Sequence, residues 1–235
     1  MAGKRALVTG GTRGIGAATA LALREWDYDV FVTGRSPNGQ APAGCFYLSC
    51  DFGDRTALEE FAGKVRDLNL SVLVNNAGIN KVGVLADYDP ADFALIQQVN
   101  VIAPFVLCQA VIPGMRSRQF GRIVNITSIF SVVSRVGRSA YSASKFSLVG
   151  LTRALALEVA AENVLVNCLA PGVIDTDLTR RVLGDEGIRE MVAQIPLRRM
   201  ARADEIARYV RFLVSDENTY MTGQNIVVDG GYTCA

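Results

Sequence analysis

The sequence predicts a single α/β domain built on a parallel, doubly wound sheet, and three observations predict it. Short β-branched apolar runs alternate with longer amphipathic stretches along the whole chain, the pattern of buried strands joined by helical crossovers. The 235 residues suit one domain with a continuous core, and 50% are hydrophobic against 20% charged. No repeat, charge block or low-complexity linker divides positions 1–235.

In chain order, apolar runs at 5–9, 29–34, 45–50, 71–75, 122–127, 164–169 and 225–228 predict seven strands. Helical patterns fall near 14–26, 55–68, 90–117, 141–161, 185–194 and 202–215. After the second strand, positions 36–44 read SPNGQAPAG, with two prolines and two glycines where a crossover between parallel strands normally needs a helix. A loop is expected there, so the helix after the second strand is missing and one patch of the sheet is less covered.

Composition excludes several chemistries. The chain contains no histidine, so neither an imidazole-dependent triad nor a histidine zinc site can form. A formal net charge of +1 provides no global field for nucleic acid or an anionic membrane. The five cysteines, at 45, 50, 108, 168 and 234, include no C-x-x-C pair; they read as small buried residues, with no metal site expected. The start MAGKRALVTGG lacks the apolar core of a signal peptide, and no apolar run approaches the roughly 20 residues of a membrane span. A reduced, cytoplasmic setting follows as the expectation.

The chemistry-bearing residues cluster at the predicted carboxyl ends of strands, where such sheets bind ligands. The first strand runs into Thr9-Gly10-Gly11-Thr12-Arg13-Gly14-Ile15-Gly16, spaced G-x-x-x-G-x-G. Those glycines let backbone N–H groups and a helix N-terminus approach a pyrophosphate, or they form an ordinary tight turn. At the end of the second strand Gly34 stands where an acidic residue would receive a ribose 2′-hydroxyl, and Arg35 follows at once. With Arg13, it suits a 2′-phosphate, unless both are plain surface arginines. The less covered patch at 36–44 adjoins this adenosine end. Asp51 could accept from an adenine amino group or cap the helix starting near Asp54, and Asn75-Asn76-Ala77-Gly78 is a ligand loop or a plain turn. Tyr141 and Lys145 lie four apart at a helix start, which puts phenol and ammonium on one face. Ser128 follows the fifth strand, as a substrate donor or as a helix cap.

Together, TGGTRGIG at 9–16, NNAG at 75–78, Asn100, Ser128, YSASK at 141–145 and Pro171-Gly172-Val173-Ile174-Asp175-Thr176 resemble the short-chain dehydrogenase/reductase family in order and spacing, over nearly the whole chain. The ending, from Thr222-Gly223-Gln224 to Asp229-Gly230-Gly231, is similar to the single-domain reductases around 3-oxoacyl-[acyl-carrier-protein] reductase. The resemblance implies a Rossmann-type fold and reversible hydride transfer between NADP(H) and a ketone or secondary alcohol. It makes Tyr141 the general acid or base, Ser128 the donor to the substrate oxygen, and Lys145 the residue that holds the nicotinamide ribose and lowers the tyrosine pKa. Asn100 would hold a water linking Lys145 to solvent. Gly10, Thr12, Arg13, Gly14, Ile15 and Gly16 would cradle the phosphates. Arg35 would read the 2′-phosphate, Asp51 the adenine, and Asn76, Ala77 and Gly78 the adenosine side. Pro171, Gly172, Ile174 and Thr176 would orient the nicotinamide.

A 3-oxoacyl thioester is the substrate this resemblance favours. A carboxylate at Glu162, where the similar fatty-acid reductases often carry a basic residue facing acyl carrier protein, favours a small cyclic ketone, sugar or polyol instead. A catalytically idle NADP-binding regulator is the rival from another class, opposed by the intact Asn100, Ser128, Tyr141 and Lys145. A homotetramer is expected by resemblance, built partly on the 141–161 helix, which is apolar around most of its circumference.

Overall fold

The computed structural model describes residues 4–235; the first three residues of the predicted 1–235 domain, and of the stretch read for a signal peptide, lie outside them. One seven-stranded sheet runs through the molecule in the order β3-β2-β1-β4-β5-β6-β7, with every pairing parallel. Its strands are β1 Arg5–Val8, β2 Asp29–Gly34, β3 Phe46–Ser49, β4 Val72–Asn75, β5 Gly121–Ile126, β6 Val164–Pro171 and β7 Asn225–Val228. The chain starts mid-sheet, winds outward to β3, then returns to build the other half from β4. Between β1 and β4, where the winding reverses, the strand ends splay into a crevice.

Two apolar layers hold the sheet. One face packs against α2 (Arg55–Asp67), α4 (Ala103–Ser117) and α5 (Ser139–Val159) through Leu58, Phe61, Leu107, Met115 and Leu155. The opposite face packs against α1 (Gly14–Arg24) and α7 (Ala203–Val214) through Ala20, Leu23, Ile206, Val210 and Leu213. A third cluster of Ile129, Phe130, Val173, Met191 and Ile195 joins the carboxyl ends of β5 and β6 to α6 (Asp177–Gln194).

No helix follows β2, as the 36–44 composition predicts. Three other readings are corrected. The helix expected over 90–117 is α3 (Pro90–Gln97), a π turn at Gln98–Ile102, and α4. Pro104 has no N–H to give the Asn100 carbonyl one turn back, so the helix widens there. The helix expected at 185–194 begins at Asp177, capped by Thr176 Oγ1 accepting from Thr179 N at 3.2 Å; Gly184, at φ 63°, kinks it where the sequence pattern breaks. Finally, Pro90–Ser117 is long and apolar enough to span a membrane by length and composition, contrary to the expectation that no such run exists. Its Leu107, Val111 and Met115 are spent on the core cluster beneath the sheet, so its apolarity has an interior use.

Candidate active site

The crevice is a cavity of about 1200 Å³ at the carboxyl edge of the sheet. Of the residues singled out in the sequence, Gly10, Thr12, Arg13, Gly14, Ile15, Arg35, Asp51, Asn76, Ala77, Gly78, Ser128, Tyr141, Lys145, Pro171, Gly172, Ile174 and Thr176 line it. Gly16 and Asn100 stand behind the wall and shape it.

The glycine loop is built for close backbone approach. Gly10 and Gly14 take positive φ, 62° and 56°. A Cβ on Gly16 would sit 2.5 Å from Asn76 Nδ2 and closer still to the Gly10 carbonyl, so only glycine allows α1 to start this near the turn. A Cβ on Gly14 would come within 3.3 Å of Thr176 Cγ2, so the bare glycine keeps open the gap between the two walls. Arg13, at the N-cap, makes no side-chain cap bond, which leaves the first amides of α1 free for an anion. That cradle fits the pyrophosphate of a dinucleotide.

The NNAG turn is fastened to this loop rather than left as a plain turn. Thr9 Oγ1 accepts from Asn76 N and Ala77 N, both at 2.9 Å, while Asn76 Nδ2 donates to the Thr9 and Gly10 carbonyls at 2.9 and 3.1 Å. Both Asn76 amide protons thus brace the loop, so the side chain acts on a ligand through the loop's shape. Asp51 is not the cap of α2; that is Asp54, which accepts from Ala57 N at 3.0 Å, while Asp51 accepts from Gly53 N at 2.9 Å and stays exposed on the cavity wall.

At the end of the cavity beside β2 and β3 stands a residue that the sequence reading missed. Tyr47, on β3, lines the cavity and donates its hydroxyl to the Ser36 carbonyl, so its ring covers the patch left by the missing helix. A Cβ on Gly34 would meet the Tyr47 hydroxyl at 2.7 Å and Thr12 Cγ2 at 3.1 Å. An acidic side chain is absent at 34, and one placed there would therefore have to push the Tyr47 ring aside. The signal was available in the sequence as an aromatic on an edge strand beside a glycine, but strand pairing has to be known before the two can be placed together.

At the other end, Ser128 caps a short turn by accepting from Phe130 N at 3.2 Å, as the cap alternative has it, and its side chain also lines the cavity. Lys145, only 4% exposed, donates to the Ile126 carbonyl at 2.8 Å, with its ammonium 5.5 Å from the Tyr141 ring centroid. Burial lowers its pKa to about 8. Tyr141 shows the opposite of what the sequence reading expects: burial pushes its phenol above its ordinary value, against smaller lowering contributions from Ser128 and from a different cation, Arg138. The desolvation of the buried phenol outweighs Ser128 and Arg138. Asn100, fully buried in the π turn, accepts from Ile79 N at 2.9 Å and donates to Ile79 O at 2.9 Å and Ser144 Oγ at 3.0 Å. Its side chain fixes the loop beside Lys145. Among the described residues no cluster of His, Cys, Asp or Glu could hold a metal ion, and no two cysteines are bonded.

Fold and cavity together define a Rossmann-type dinucleotide-binding domain with a serine, a tyrosine and a lysine gathered on the wall of one cleft. The chain belongs to the short-chain dehydrogenase/reductase family and is an oxidoreductase. The family described as Enoyl-(Acyl carrier protein) reductase matches residues 10–233. The chain is 39% identical over 233 residues to an acetoacetyl-CoA reductase of Shinella zoogloeoides, covering 96% of this chain and 97% of that one. It is 38% identical over 238 residues to the 3-oxoacyl-[acyl-carrier-protein] reductase of Escherichia coli (strain K12), with 97% of each covered. A solved structure described as a putative NAD(P) dependent gluconate 5-dehydrogenase from Beutenbergia cavernae, with NADP bound at low occupancy, superposes with a TM-score of 0.92 at 33% identity, over 100% of this chain and 98% of that chain.

Proposed function

We propose that residues 1–235 form one NADP(H)-binding catalytic domain that interconverts a ketone and a secondary alcohol, with a 3-oxoacyl thioester as the substrate. The observation that carries the reading is the convergence of Ser128, Tyr141 and Lys145 on one cavity with the glycine cradle. The cofactor, when bound, supplies or accepts the hydride. Gly10, Thr12, Arg13, Gly14 and Ile15 hold its phosphates, and Arg35 with Arg13 takes the 2′-phosphate, in a corner that Tyr47 closes to an acidic rival. Asp51 faces the adenine; Pro171, Gly172, Ile174 and Thr176 hold the nicotinamide side, and Lys145 the ribose.

Ser128 donates to the carbonyl oxygen, and Tyr141 gives its proton to that oxygen in reduction or removes it in oxidation. Asn100 anchors the Lys145 side of the site and holds the water through which the proton is replaced. Thioester reduction is supported by the relatives named as acetoacetyl-CoA and 3-oxoacyl reductases. Glu162, the residue that favours a sugar or polyol, pairs with Arg116 Nε at 3.3 Å, so its charge is offset and its repulsion of an acidic carrier weakens.

Self-association as a homotetramer is part of the same proposal. On α5, Leu157 is 85% exposed and Phe146 47%, and on the neighbouring α4 Phe105 is 45% exposed, an apolar face unlike that of a helix buried in a monomer's core. Five free cysteines suit a reducing, cytoplasmic setting.

The test is NADPH consumption followed against 3-oxoacyl thioesters, cyclic ketones, keto-sugars and, because the matching family is described as an enoyl reductase, an enoyl thioester. Turnover of the 3-oxoacyl thioester above the rest supports the reading; preference for the enoyl thioester or a keto-sugar replaces its substrate, and tight NADPH binding with no turnover returns the idle regulator.

A further inference from the structure

Arg138 immediately precedes α5, three residues before Tyr141, so the two side chains start one helical turn apart. It is 7% exposed, and its guanidinium lies over the Phe130 ring at 5.4 Å from the centroid. The Phe130 ring in turn meets the Tyr141 ring edge-on, with centroids 6.3 Å apart. Phe130 and Tyr141 therefore form one aromatic wall, with the guanidinium set against it.

An arginine buried to this extent ordinarily carries a carboxylate partner, because desolvating a lone charge is costly. Among the described residues Arg138 has no ion pair and makes no side-chain hydrogen bond. The charged and titratable groups around it supply no anion either. Arg135, on the preceding loop, is a like charge, itself paired with Glu190 of α6 at 3.5 Å. The other titratable group that faces it is Tyr141, on α5 itself. Arg138 also sits at the positive end of the α5 dipole, where a cation is disfavoured. Two positive features thus meet with nothing negative between them, one turn from the residue that loses a proton in the reaction.

We propose that Arg138 is a positioning cation whose counter-ion is the Tyr141 phenolate that the reaction itself generates. The inference rests on Tyr141 acting as the acid. In ketone reduction the hydride of NADPH forms the new C–H bond, the cofactor leaves oxidised, the Tyr141 O–H bond breaks, and its proton forms the O–H bond of the alcohol. The negative charge left on Tyr141 is then held between Arg138 and Lys145. Lys145, whose pKa burial lowers to about 8, shares this task with a group that stays protonated at every working pH.

The test compares wild type, Arg138→Gln and Arg138→Lys in alcohol oxidation with NADP+, where the acid limb of kcat/KM reads the tyrosine. Loss of one charge across the Phe130 ring is expected to raise the limb's midpoint by about one to two pH units in Arg138→Gln. Arg138→Lys should recover most of the shift, and NADPH affinity should stay within a few-fold in both. A second readout needs no turnover: the ultraviolet tyrosinate titration of each protein minus that of its Tyr141→Phe derivative should show the same displacement. If Arg138→Gln fails to fold, Arg138→Met takes its place as the neutral variant, with the same rise expected. An unmoved midpoint overturns the proposal. So does an unmoved midpoint with KM raised only for carboxylate-bearing substrates, which would make Arg138 a substrate anchor. No turnover by wild type on any alcohol would sink the proposed function instead, leaving the tyrosinate titration to decide on Arg138.

Discussion

At the scale of single residues, the site separates groups that react from groups that hold them. Tyr141→Phe removes the transferable proton and almost none of the cofactor wall. Turnover should vanish while the NADPH dissociation constant, read by fluorescence titration, stays within a few-fold. Ser128→Ala should lose roughly 10²-fold in kcat, the usual cost of removing one donor to a developing oxyanion; wild-type rates in either variant would remove these two residues from the chemistry. Lys145 makes a separate statement about stability. Its ammonium is buried without a carboxylate, which lowers the pKa from the ordinary 10.5 to about 8. Below pH about 8 the lysine is protonated in both folded and unfolded chains, and the fold bears the whole burial cost. Between about 8 and 10.5 the folded protein gives up the proton first, the unfolded chain binds more protons, and stability rises with pH. The unfolding free energy of the cofactor-free wild type, relative to Lys145→Met, should therefore climb by about 3 kcal/mol across that window in urea melts. Taking the difference removes Cys50 and Cys108, whose thiols burial pushes up and which oppose the rise in both proteins. A flat difference would mean that Lys145 is not buried as a lone cation.

At the scale of elements, the cofactor corner depends on β2 and β3 together. A contact of about 2–3 kcal/mol between Arg35 and a 2′-phosphate favours NADPH over NADH by about 30- to 150-fold, and Arg35→Ala should lose most of it. Replacing Gly34 alone by Asp does not suffice to turn the preference round, because the new side chain collides with the Tyr47 hydroxyl. Gly34→Asp combined with Tyr47→Ala and Arg35→Ala should favour NADH, whereas Gly34→Asp with Tyr47 intact should weaken both cofactors. Equal binding of both cofactors by the unmodified protein would show that neither arginine reads the phosphate. The strands, the parallel doubly wound sheet and the missing helix after β2 were legible in the sequence, because β-branched runs and the SPNGQAPAG stretch are local signals. Tyr47 opposite Gly34 and Arg138 beside Tyr141 were not legible, since the first needs strand register and the second needs knowledge that no carboxylate comes near. The π turn at Asn100 and the early start of α6 were lost to ordinary helical periodicity, which runs smoothly over Pro104 and breaks at Gly184.

At the scale of the whole molecule, the sheet carries two faces with different duties. Its carboxyl edge gathers the cavity, while α4 and α5 present an apolar surface that the single chain does not cover. Leu157→Glu, on the most exposed part of that face, should shift the mass seen by light scattering from that of a tetramer toward the 25.3 kDa of one chain, with far-UV circular dichroism unchanged. An unmodified protein that scatters as a single chain at micromolar concentration would refute the assembly. Because Tyr141 and Lys145 lie on the inner face of α5 and Leu157 on its outer face, loss of assembly should loosen the helix that carries the chemistry and lower turnover with it.

The central claim, that the cavity reduces a ketone with NADPH through Tyr141, is met most directly by one measurement: the fall in NADPH absorbance on adding a 3-oxoacyl thioester, for wild type beside Tyr141→Phe. The account predicts steady consumption in the first and none in the second at equal cofactor occupancy. Equal consumption in both, or none in either with NADPH fully bound, would contradict it.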